Sequence, residues 1–525
     1  MGERVSTEAL PPVRRNEVIG VLSLATDFAI GQPLGYGLRS AIASVTLARS
    51  MGLGEAVATE AYYHGLLRYC GCTAETDRLN ALFGDEIEIR RNFAVIDPAE
   101  GAELLRILLS HVGPARAGHP PFEHGDDAFH GVMGATVAVF SSHCEVAARI
   151  GARLGLPETV QRNLRQLYER WDGHGFPAHL SGEAIAPAVR LVLVVQDSLA
   201  LLGIMPMERV ATVIAGRRGG PYDPAIVDTF LPLLTKLLAP ISDAEAWETA
   251  LALRVDGDAP LSPAELDAAS EVIADFIDLK SPVIAGHSRA VSQLIDAAAA
   301  GARMPDADRA ALRRAALWHD IGYIAIPGTL RFGTESPAEG SESGRLHPYF
   351  AERLLQRVPG LAAIGAMIAE HHERLDGSGF HRGSRASDLS APGRLLAAAE
   401  AYQNLVEDRP FRVTLSPEQA ARRLRDDVKR GALDGAAVAV VLEAAGHGQR
   451  GKKVPFVAGL TAREVEVLRL LVRGGAMKEI GRDLDLSPKT IDNHIQSIYA
   501  KIGVNTRGGA TLFAMEHGLL RPGQI

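Results

Sequence analysis

Apolar residues recur every three or four positions along most of the chain, with polar and charged residues between them. This spacing predicts amphipathic helices, and long stretches rich in Ala, Leu and Arg extend the prediction over the body of the chain. No sustained alternation of apolar and polar residues, which would indicate half-buried strands, interrupts the pattern. The expected fold class is therefore all-α.

The clearest stripes lie near the C-terminus. They are formed by Val465, Leu468, Leu471 and Val472, then by Ile480 and Leu484, then by Ile491, Ile495, Ile498 and Ile502. Thr461, with Glu464 three residues later, is the expected N-cap of the first helix. Ser487 followed by Pro488 begins the last helix in a similar way. Two helices joined by a tight turn, the second with a polar outer face, predict a helix-turn-helix.

Charge is unevenly distributed along the chain. The whole sequence has 55 Lys+Arg and 63 Asp+Glu, a net charge of −8. Residues 451–525 carry 11 Lys+Arg and 7 Asp+Glu, a net of +4, which leaves −12 on the first 450 residues. An acidic body joined to a basic tail favours contact with nucleic acid through the tail.

The cellular compartment is predicted from three features: the number of cysteines, the length of the apolar runs and the pattern at the N-terminus. Three cysteines are too few for a secreted disulfide framework, and the longest apolar runs fall far short of the roughly 20 residues that a membrane span requires. The N-terminus lacks the basic-then-apolar pattern of a secretory signal. We therefore expect a cytoplasmic protein without membrane contact.

Four segments of the tail resemble the LuxR-type DNA-binding domain: Leu460–Leu468, Lys478–Gly481, Ser487–His494 and Tyr499–Val504. The resemblance implies that Asp492, Asn493 and Gln496 face base edges of double-stranded DNA. It also implies a set of residues near phosphates: Lys478, Lys489, Thr490, Lys501 and Arg507. Asp492 replaces a residue that is often basic, and its carboxylate can accept a hydrogen bond from cytosine N4. Domains of this type generally bind paired half-sites, so we expect a homodimer.

The acidic body contains an internal sequence repeat. At an offset of 204, residues 143–196 match residues 347–400 without a gap. Upstream the offset becomes 255 and then 248, with these pairs: His64 with His319, and Asp27 with Asp275. The body is therefore expected to consist of two related helical domains.

The second copy concentrates imidazole and carboxylate side chains: His287, His319, Asp320, His347, His371, His372 and Glu400. Neutral imidazoles with carboxylates suit divalent Fe, Mn, Zn or similar ions, and a shared carboxylate can bridge two of them. His371 lies seven residues after Ile364 on an apolar helical stripe, where a neutral ligand is acceptable and a free cation is not. The sequence therefore predicts a metal centre in this copy.

Most of the second copy resembles the HD-GYP family, a branch of the HD phosphohydrolases. The matching segments are Trp318–Pro327, His347–Pro348, His371–Phe380, Arg394–Tyr402 and Arg409–Arg412. The resemblance implies an all-helical domain with two or three metal ions, and hydrolysis of cyclic di-GMP is the best-known activity of the family. It makes His319 and Asp320 the catalytic pair and the seven residues above the metal ligands. Paired ions would activate a water and neutralise charge on the phosphoryl oxygens.

Four departures limit what the resemblance implies. Tyr323 stands where a lysine is expected, and Phe380 and His381 replace the Tyr-Pro of the family signature. Glu400 replaces the final aspartate ligand, and the glutamate of three-metal members falls near Val283. We therefore expect two ions, and specificity for cyclic di-GMP does not follow.

In the first copy most matched positions have lost their ligands. His64 and His143 remain, but the others are Gly65, Leu167, Tyr168, Gln196 and, near the position of His287, Gly37. Hydrocarbon at Leu167 closes a pocket that no longer holds charge. We expect no metal chemistry in this copy, and pairing with its twin, ligand binding and dimerisation all remain open as its role.

These patterns divide the chain into a degenerate HD-GYP-like domain (1–246), an HD-GYP-like metal-dependent phosphohydrolase domain (247–448) and a LuxR-type domain (449–525). Gly446–Lys453 is the expected flexible linker. The leading hypothesis is a transcription regulator whose body senses or hydrolyses a phosphorylated small molecule, such as a cyclic dinucleotide. The alternatives are a phosphodiesterase localised by its DNA-binding domain, and a non-catalytic dimerising regulator with a structural metal.

Overall fold

A computed structural model describes residues 11–83, 85–96, 125–253, 255, 259–328, 342–409, 413–446 and 457–520. These residues form helices joined by turns and loops, and the β pairings among them are isolated bridges. The predicted all-α fold class is confirmed. Most of the predicted linker Gly446–Lys453 lies outside the described residues. No helix in the described ranges is long and apolar enough to cross a membrane.

The helices that precede residue 254 are α1 (Arg15–Ala29), α2 (Tyr36–Ser50), α3 (Gly54–Leu67), α4 (Thr76–Phe83), α5 (Glu86–Phe93), α6 (Gly125–Arg153), α7 (Glu158–Leu164), α8 (Pro187–Leu202), α9 (Met207–Gly216), α10 (Pro224–Leu237) and α11 (Asp243–Ala252). The predicted boundary at residue 246 falls inside α11. Trp247 of this helix packs against Gly20 of α1, so close that a methyl group on the glycine would meet the indole ring at 2.7 Å. Helix α11 therefore packs with the first domain.

The helices of the second domain are α12 (Pro263–Asp278), α13 (His287–Gly301), α14 (Asp306–Trp318), α15 (His347–Leu355), α16 (Ala362–Ile368), α17 (Ala391–Val406), α18 (Pro417–Lys429) and α19 (Gly435–Ala444). The C-terminal domain contains α20 (Ala462–Val472), α21 (Met477–Asp483), α22 (Pro488–Ile502) and α23 (Arg507–Glu516). Buried side chains of the two larger domains form one continuous apolar core, and the C-terminal domain has a core of its own.

The first half of each large domain repeats with one offset of 251 residues. Helices α2 and α13 both follow a glycine with positive φ, Gly35 at 85° and Gly286 at 84°. Asp27 accepts hydrogen bonds from the amides of Gly35 and Gly37, at 2.8 and 3.0 Å. Asp278 likewise accepts bonds from the amide and hydroxyl of Ser288, at 3.1 and 2.7 Å. The offsets of 255 and 248 expected from residue identity are therefore wrong, because the helix caps rather than the matching letters define the equivalence.

The second half of each domain keeps the predicted offset of 204. Glu169 accepts hydrogen bonds from the amides of Ala178 and Leu180, at 2.7 and 2.8 Å. Glu373 does the same for the amides of Arg382 and Ser384, at 2.7 and 2.9 Å. The same buried carboxylate thus organises the same loop twice, and the tandem repeat is present in three dimensions.

The C-terminal helices begin where the sequence predicts. Thr461 caps α20 and Glu464 completes the reciprocal capping box. Ser487 caps α22, with Pro488 as its first residue. Helices α21 and α22 are joined by a short turn, in which a side chain on Gly481 would meet the Leu486 carbonyl at 2.6 Å. The helix-turn-helix geometry follows from these local signals.

Candidate metal centre and DNA-binding surface

Five separate elements of the second domain bring the predicted ligands into one buried site. His287 begins α13, and His319 and Asp320 follow α14 directly. The remaining ligands come from the start of α15, the turn after α16 and the middle of α17: His347, His371, His372 and Glu400. None of the seven side chains is more than 7% exposed. One expectation needs correction: α16 ends at Ile368, so His371 lies in the following turn and not on the helical stripe.

The donor atoms fall into two groups that meet at Asp320. The imidazoles of His347, His371 and His372 form one group, and His287, His319 and Asp320 form the other, each with donor atoms within 4.8 Å of one another. Asp320 Oδ1 lies 3.6 Å from His347 Nε2 and 3.5 Å from His319 Nε2. A carboxylate between two sets of imidazoles has the placement of a ligand that bridges two cations.

The imidazoles are oriented as metal ligands require. The Nδ1 atoms of His319, His347 and His371 lie 2.7, 2.7 and 2.5 Å from backbone carbonyl oxygens of Ala316, Gly344 and Ile368. These contacts place the ring proton on Nδ1 and leave each Nε2 lone pair directed into the site.

Several inward atoms of the site lie close together without hydrogen-bond geometry. Glu400 Oε2 is 3.0 Å from His287 Nε2 and 3.3 Å from His319 Nε2, yet none of these three buried atoms has a hydrogen-bond partner among the described residues. Polar atoms buried without partners are costly. Atoms that converge on a common point in this way fit a bound divalent cation, so the residues present match the metal implied by the sequence.

Electrostatics separates the two groups. Burial lowers the pKa of His372 well below its ordinary value, and the neighbouring His371 and His347 lower it further. This imidazole is therefore neutral and able to coordinate a cation. Burial also lowers the pKa of His287, but Glu407 and Glu400 outweigh it and raise that pKa well above its ordinary value. Carboxylates crowd the His287 side of the site, which suits a cation there.

Sequence reasoning missed the residues that hold His287 in place. Glu407 Oε2 lies 2.8 Å from His287 Nδ1, and Arg409 donates a 2.7 Å bond to the same oxygen. Gln403 donates to the other Glu407 oxygen at 2.8 Å. Arg409 belongs to a segment quoted for the family resemblance, whereas Glu407 gave no signal because its role depends on the fold of the chain after α17.

Aromatic rings wall the site where the sequence departs from the family pattern. Tyr323, in place of the expected lysine, stacks on His347 with ring centroids 3.6 Å apart and planes at 13°. Phe380 stacks on His372 at 4.6 Å, and the Arg345 guanidinium lies 5.3 Å from the Phe380 ring. These rings fix the planes of the two imidazoles. At position 323 an aromatic ring thus replaces the ammonium group that the family pattern places there.

The first domain presents a different set of side chains in the equivalent place. The offsets of 251 and 204 give these counterparts, in the order of the seven ligands: Tyr36, Arg68, Tyr69, His143, Leu167, Tyr168 and Gln196. His64 is therefore not the counterpart of His319, contrary to expectation: it lies one turn earlier, buried within α3, and corresponds to Ala315. Gly65 and Gly37 are displaced from the site positions for the same reason.

A buried guanidinium occupies the position of His319 in the first domain. Arg68 donates a 3.2 Å bond to Gln196, the counterpart of Glu400, and lies 3.8 Å from Asp197. Burial opposes its charge, but the neighbouring Tyr69 and Asp197 raise the pKa of Arg68 above its ordinary value. The first domain therefore has a permanently charged side chain at the position equivalent to His319.

On the C-terminal domain, part of the predicted DNA-contacting set is solvent-exposed. Asn493 and Gln496 are exposed on α22, and Lys478 is exposed on α21. Lys489 has 79% of its side chain exposed and lies 3.3 Å from Asp492, which reduces the charge conflict that the aspartate would create near phosphate. Thr490 is half-buried, and its amide is bonded to the cap hydroxyl of Ser487 at 3.1 Å.

Two residues of the predicted phosphate-contacting set already face carboxylates. Lys501 lies 2.6 Å from Glu464 within the same domain. Arg507 lies where the C-terminal domain meets the first domain, beside Asp77, whose pKa is raised by desolvation that the charge of Arg507 partly offsets. Contact of these two side chains with DNA stays a prediction.

The C-terminal domain rests on both large domains. Glu145 of α6 accepts the amide of Asn505 at 3.2 Å, and Arg149 donates to the carbonyl of Gly509 at 3.1 Å. Leu512 and Met515 of α23 join the apolar core of the body. On the other side, Arg473 lies 3.3 Å from Asp408, and a side chain on Gly286 would meet Leu520 at 3.7 Å.

Comparison with known proteins identifies both parts of the chain. Residues 271–437 match the HD domain family, and residues 458–514 match the bacterial regulatory proteins of the luxR family. The 3'3'-cGAMP-specific phosphodiesterase 3 of Vibrio cholerae is 24% identical over 421 residues, 79% of this chain and 91% of that protein. The transcriptional regulatory protein YdfI of Bacillus subtilis is 39% identical over 72 residues, 14% of this chain and 34% of that protein.

A solved structure shares the fold of the body. The crystal structure of a cyclic GMP-AMP specific phosphodiesterase of Vibrio cholerae superposes with a TM-score of 0.56 at 20% identity, over 83% of this chain and 99% of that chain. Phosphodiesterases of the HD family are metal-dependent, in agreement with the clustered ligands. The chain therefore joins an HD domain to a C-terminal helix-turn-helix domain of the LuxR family.

Proposed function

We propose that this protein is a DNA-binding transcription regulator whose tandem HD body binds and hydrolyses a cyclic dinucleotide at a two-metal centre in residues 247–448. The relatives whose names specify 3'3'-cGAMP support the class of substrate. The exposed polar face of α22 supports the class of partner, double-stranded DNA bound by a homodimer.

The observation that carries the proposal is where the C-terminal domain touches the second domain. Leu520 packs against Gly286, the residue before His287. Arg473 pairs with Asp408, which lies between Glu407 and Arg409, the two residues that hold His287. The predicted DNA-binding domain therefore contacts the residue that precedes the predicted ligand His287. It also contacts the residue that lies between the two side chains supporting His287.

This contact gives a physical route from the metal centre to DNA. A ligand that favours one arrangement of His287 and Glu407 also favours one position of the C-terminal domain, because both share the same short segments. The ligand shifts DNA affinity only by the difference in its affinity for the two arrangements.

The residues of the site suit hydrolysis of a phosphodiester. Bound divalent ions supply a Lewis acid and an activated water. Asp320 lies between the two groups of imidazoles and holds them in one charged site. The rings of Tyr323 and Phe380 exclude solvent from the faces of His347 and His372. The charge of Arg345, beside Phe380, is placed to attract an anionic substrate.

Coupling is tested by measuring DNA affinity of the full-length protein with and without 3'3'-cGAMP or cyclic di-GMP, on a DNA fragment selected by the protein itself. We expect one of these compounds to change the wild-type dissociation constant at least fivefold. Arg473→Ala should abolish the change while turnover persists. Arg430→Ala, an exposed arginine paired with Asp427 in its own domain, is the control and should behave as wild type.

Hydrolysis is tested in parallel with His319→Ala, which should lose turnover and bound metal. His517→Ala, a histidine exposed on the C-terminal domain, should lose neither. Turnover without any effect of the cyclic dinucleotide on DNA affinity would contradict the proposed regulatory function. It would favour a phosphodiesterase localised by its DNA-binding domain. Bound metal without turnover or ligand binding would favour the non-catalytic alternative.

A further inference from the structure

A buried ion pair links the first domain to the turn behind the metal centre. Glu86, the first residue of α5, lies 3.3 Å from the ammonium group of Lys280 in the second domain, and the two side chains are 0% and 1% exposed. Removing one partner of such a pair leaves a buried charge uncompensated. The pair therefore ties the two domains together at a position that tolerates little change.

Lys280 applies its charge to the backbone that follows the His-Asp motif. Its Nζ donates to the carbonyl oxygens of Tyr323 and Ile324, at 3.1 and 2.9 Å, and also to that of Ile326. These carbonyls belong to the turn that begins directly after Asp320. Tyr323 in the same turn stacks on His347. The ammonium thus holds the backbone between one metal ligand and the ring that orients another.

The first domain also grips this segment directly. Glu86 accepts the amide of Gly328 with both carboxylate oxygens, at 3.0 and 3.1 Å. A side chain on Gly328 would meet Asn80 of α4 at 2.1 Å. The segment 321–328 is therefore held at its start by Lys280 and at its end by Glu86 and the close approach to α4.

The same helix braces the equivalent turn of its own domain. Arg90, one turn after Glu86 on α5, donates to the carbonyl of Cys72 at 2.5 Å and to the hydroxyl of Thr76 at 3.0 Å. Cys72 is the counterpart of Tyr323 at the offset of 251. Helix α5 therefore lies between two equivalent turns and supports both through buried cations.

Helix α5 belongs to a stretch of the first domain that is longer than its counterpart in the second. Gly71 and Gly322 are counterparts, since a side chain on either would strike the carbonyl of the matched histidine, His143 or His347, at 2.1 or 1.9 Å. His143 follows Gly71 by 72 positions, whereas His347 follows Gly322 by only 25. The longer stretch of the first domain contains the helix that braces the second.

We infer that Glu86 is a positioning residue for the metal centre of the second domain, acting on residues 321–328 through Lys280 and through the Gly328 amide. The inference rests on the proposed function for the identity of the site. It assigns the first domain a role: its helix α5 completes the support of its twin's active site.

The experiment compares four full-length variants with wild type: Glu86→Gln, Lys280→Met, the double variant, and Glu88→Gln as control. Glu88 lies two residues after Glu86 on the same helix, and its side chain is exposed. Three readouts are local amide hydrogen exchange of residues 321–328, the dissociation constant for Mn²⁺, and kcat and KM for 3'3'-cGAMP.

Glu86→Gln keeps the shape of the side chain and removes only the charge opposite Lys280. We expect exchange of residues 321–328 to rise at least tenfold and Mn²⁺ affinity to fall 10- to 100-fold, as for other residues that support metal ligands. We expect kcat to fall with KM little changed. Because the glutamine oxygen can still accept the Gly328 amide, the substitution removes only the interaction with Lys280. The double variant should therefore be no worse than Lys280→Met, and Glu88→Gln should match wild type.

Wild-type exchange and Mn²⁺ affinity in Glu86→Gln would overturn the inference, as would losses that simply add in the double variant. A general rise of exchange over the whole first domain would also overturn it, because it would mark loss of fold rather than of position. If the wild type hydrolyses no cyclic dinucleotide, the proposed activity fails, while exchange and Mn²⁺ binding still decide the role of Glu86.

Discussion

At the residue scale, Glu464 shows how much one carboxylate can do in the C-terminal domain. It completes the cap of α20 and contacts Ser497 and Lys501 of α22, at 2.7 and 2.6 Å. Burial opposes its charge, but the bonds from Lys501, the Thr461 amide and Ser497 lower its pKa from 4.5 to about 2. The charged form is therefore the one that the folded domain stabilises.

The sign of the resulting pH dependence follows from linkage. A carboxyl whose folded-state pKa is lowered adds stability at pH above its unfolded value of 4.5, and that stability is lost as pH falls towards about 2. We predict that Glu464→Gln is less stable than wild type at neutral pH and that the difference shrinks below pH 4.5. Hydrogen exchange of residues 461–502 in the full-length protein, measured against pH, checks this. A difference that does not change with pH would contradict it.

Glu407 is the residue whose replacement should reveal the support of His287. We predict that Glu407→Gln lowers Mn²⁺ affinity 10- to 100-fold, since it removes a charged partner of a metal-ligating imidazole. Calorimetric titration of metal-free protein measures this. Glu443→Gln, an exposed glutamate on α19, serves as control and should bind as wild type. Equal affinities for both variants would show that His287 does not need this support.

Residues on the polar face of α22 should separate affinity from specificity. We predict that Lys489→Ala weakens binding to all DNA sequences and reduces the slope of log K against log salt by about 1. Gln496→Ala should instead relax preference at one base pair, at a cost of about 1–3 kcal/mol. Binding measured over a salt series and over a set of single-base-pair substitutions distinguishes the two. An unchanged base preference in Gln496→Ala would remove it from the recognition face.

At the element scale, close approaches of backbone explain several glycines that carry no chemistry. The turn at Gly322 passes so close to the first residue of α15 that a methyl group there would lie 1.9 Å from the His347 carbonyl. Gly301, the last residue of α13, has open space at the same position. The two glycines thus differ in what a methyl group would meet.

We predict that Gly322→Ala destabilises the protein by about 1–3 kcal/mol, because the turn must move away from α15. It should also weaken Mn²⁺ binding, since the same turn follows Asp320. Gly301→Ala should be neutral or stabilising by up to about 1 kcal/mol, because a helical position gains a better helix former. Thermal unfolding and Mn²⁺ titration of both variants provide the test, and equal effects would contradict the explanation.

Helix caps were the part of the fold that local sequence determined. Thr461, Ser487 and Pro488 predict the starts of α20 and α22 because capping depends on neighbouring residues only. The predicted equivalence of the two large domains is wrong upstream of residue 143. His64 and His319 are the same residue type but do not occupy equivalent positions in the two domains. Arg68 takes the place of His319, which the positive φ of Gly35 and Gly286 and the matched caps at Asp27 and Asp278 reveal.

Support residues could not be predicted for a related reason. The seven predicted ligands are recognisable because several histidines and acids recur in a known pattern. Glu407 and Glu86 are single glutamates whose partners lie 120 and 194 residues away, as the numbering of His287 and Lys280 shows. No local pattern connects such pairs, and both depend on how the domains pack.

At the scale of the whole molecule, metal content should report the difference between the two domains. We predict about two ions per chain in protein purified without chelator, both lost in Asp320→Asn and both retained in Arg68→Met. At a metal concentration 100 times the dissociation constant, stability should rise by about 2.7 kcal/mol. Elemental analysis and thermal unfolding before and after chelation measure these effects. Retention of metal by Asp320→Asn would place the ions elsewhere.

The brace from α5 also has an evolutionary consequence. A duplicated domain that has lost its own ligands is ordinarily free to be deleted. Here deletion of the first copy would remove Glu86, the buried carboxylate that lies against Lys280, so selection on the second copy preserves the first. If the second copy carries the metal centre, positions such as 36, 68 and 196 of the first copy can diverge while the helices around them are kept to support the twin. The two copies form a single heritable unit, and orthologues that keep Lys280 are expected to keep an acidic residue at position 86.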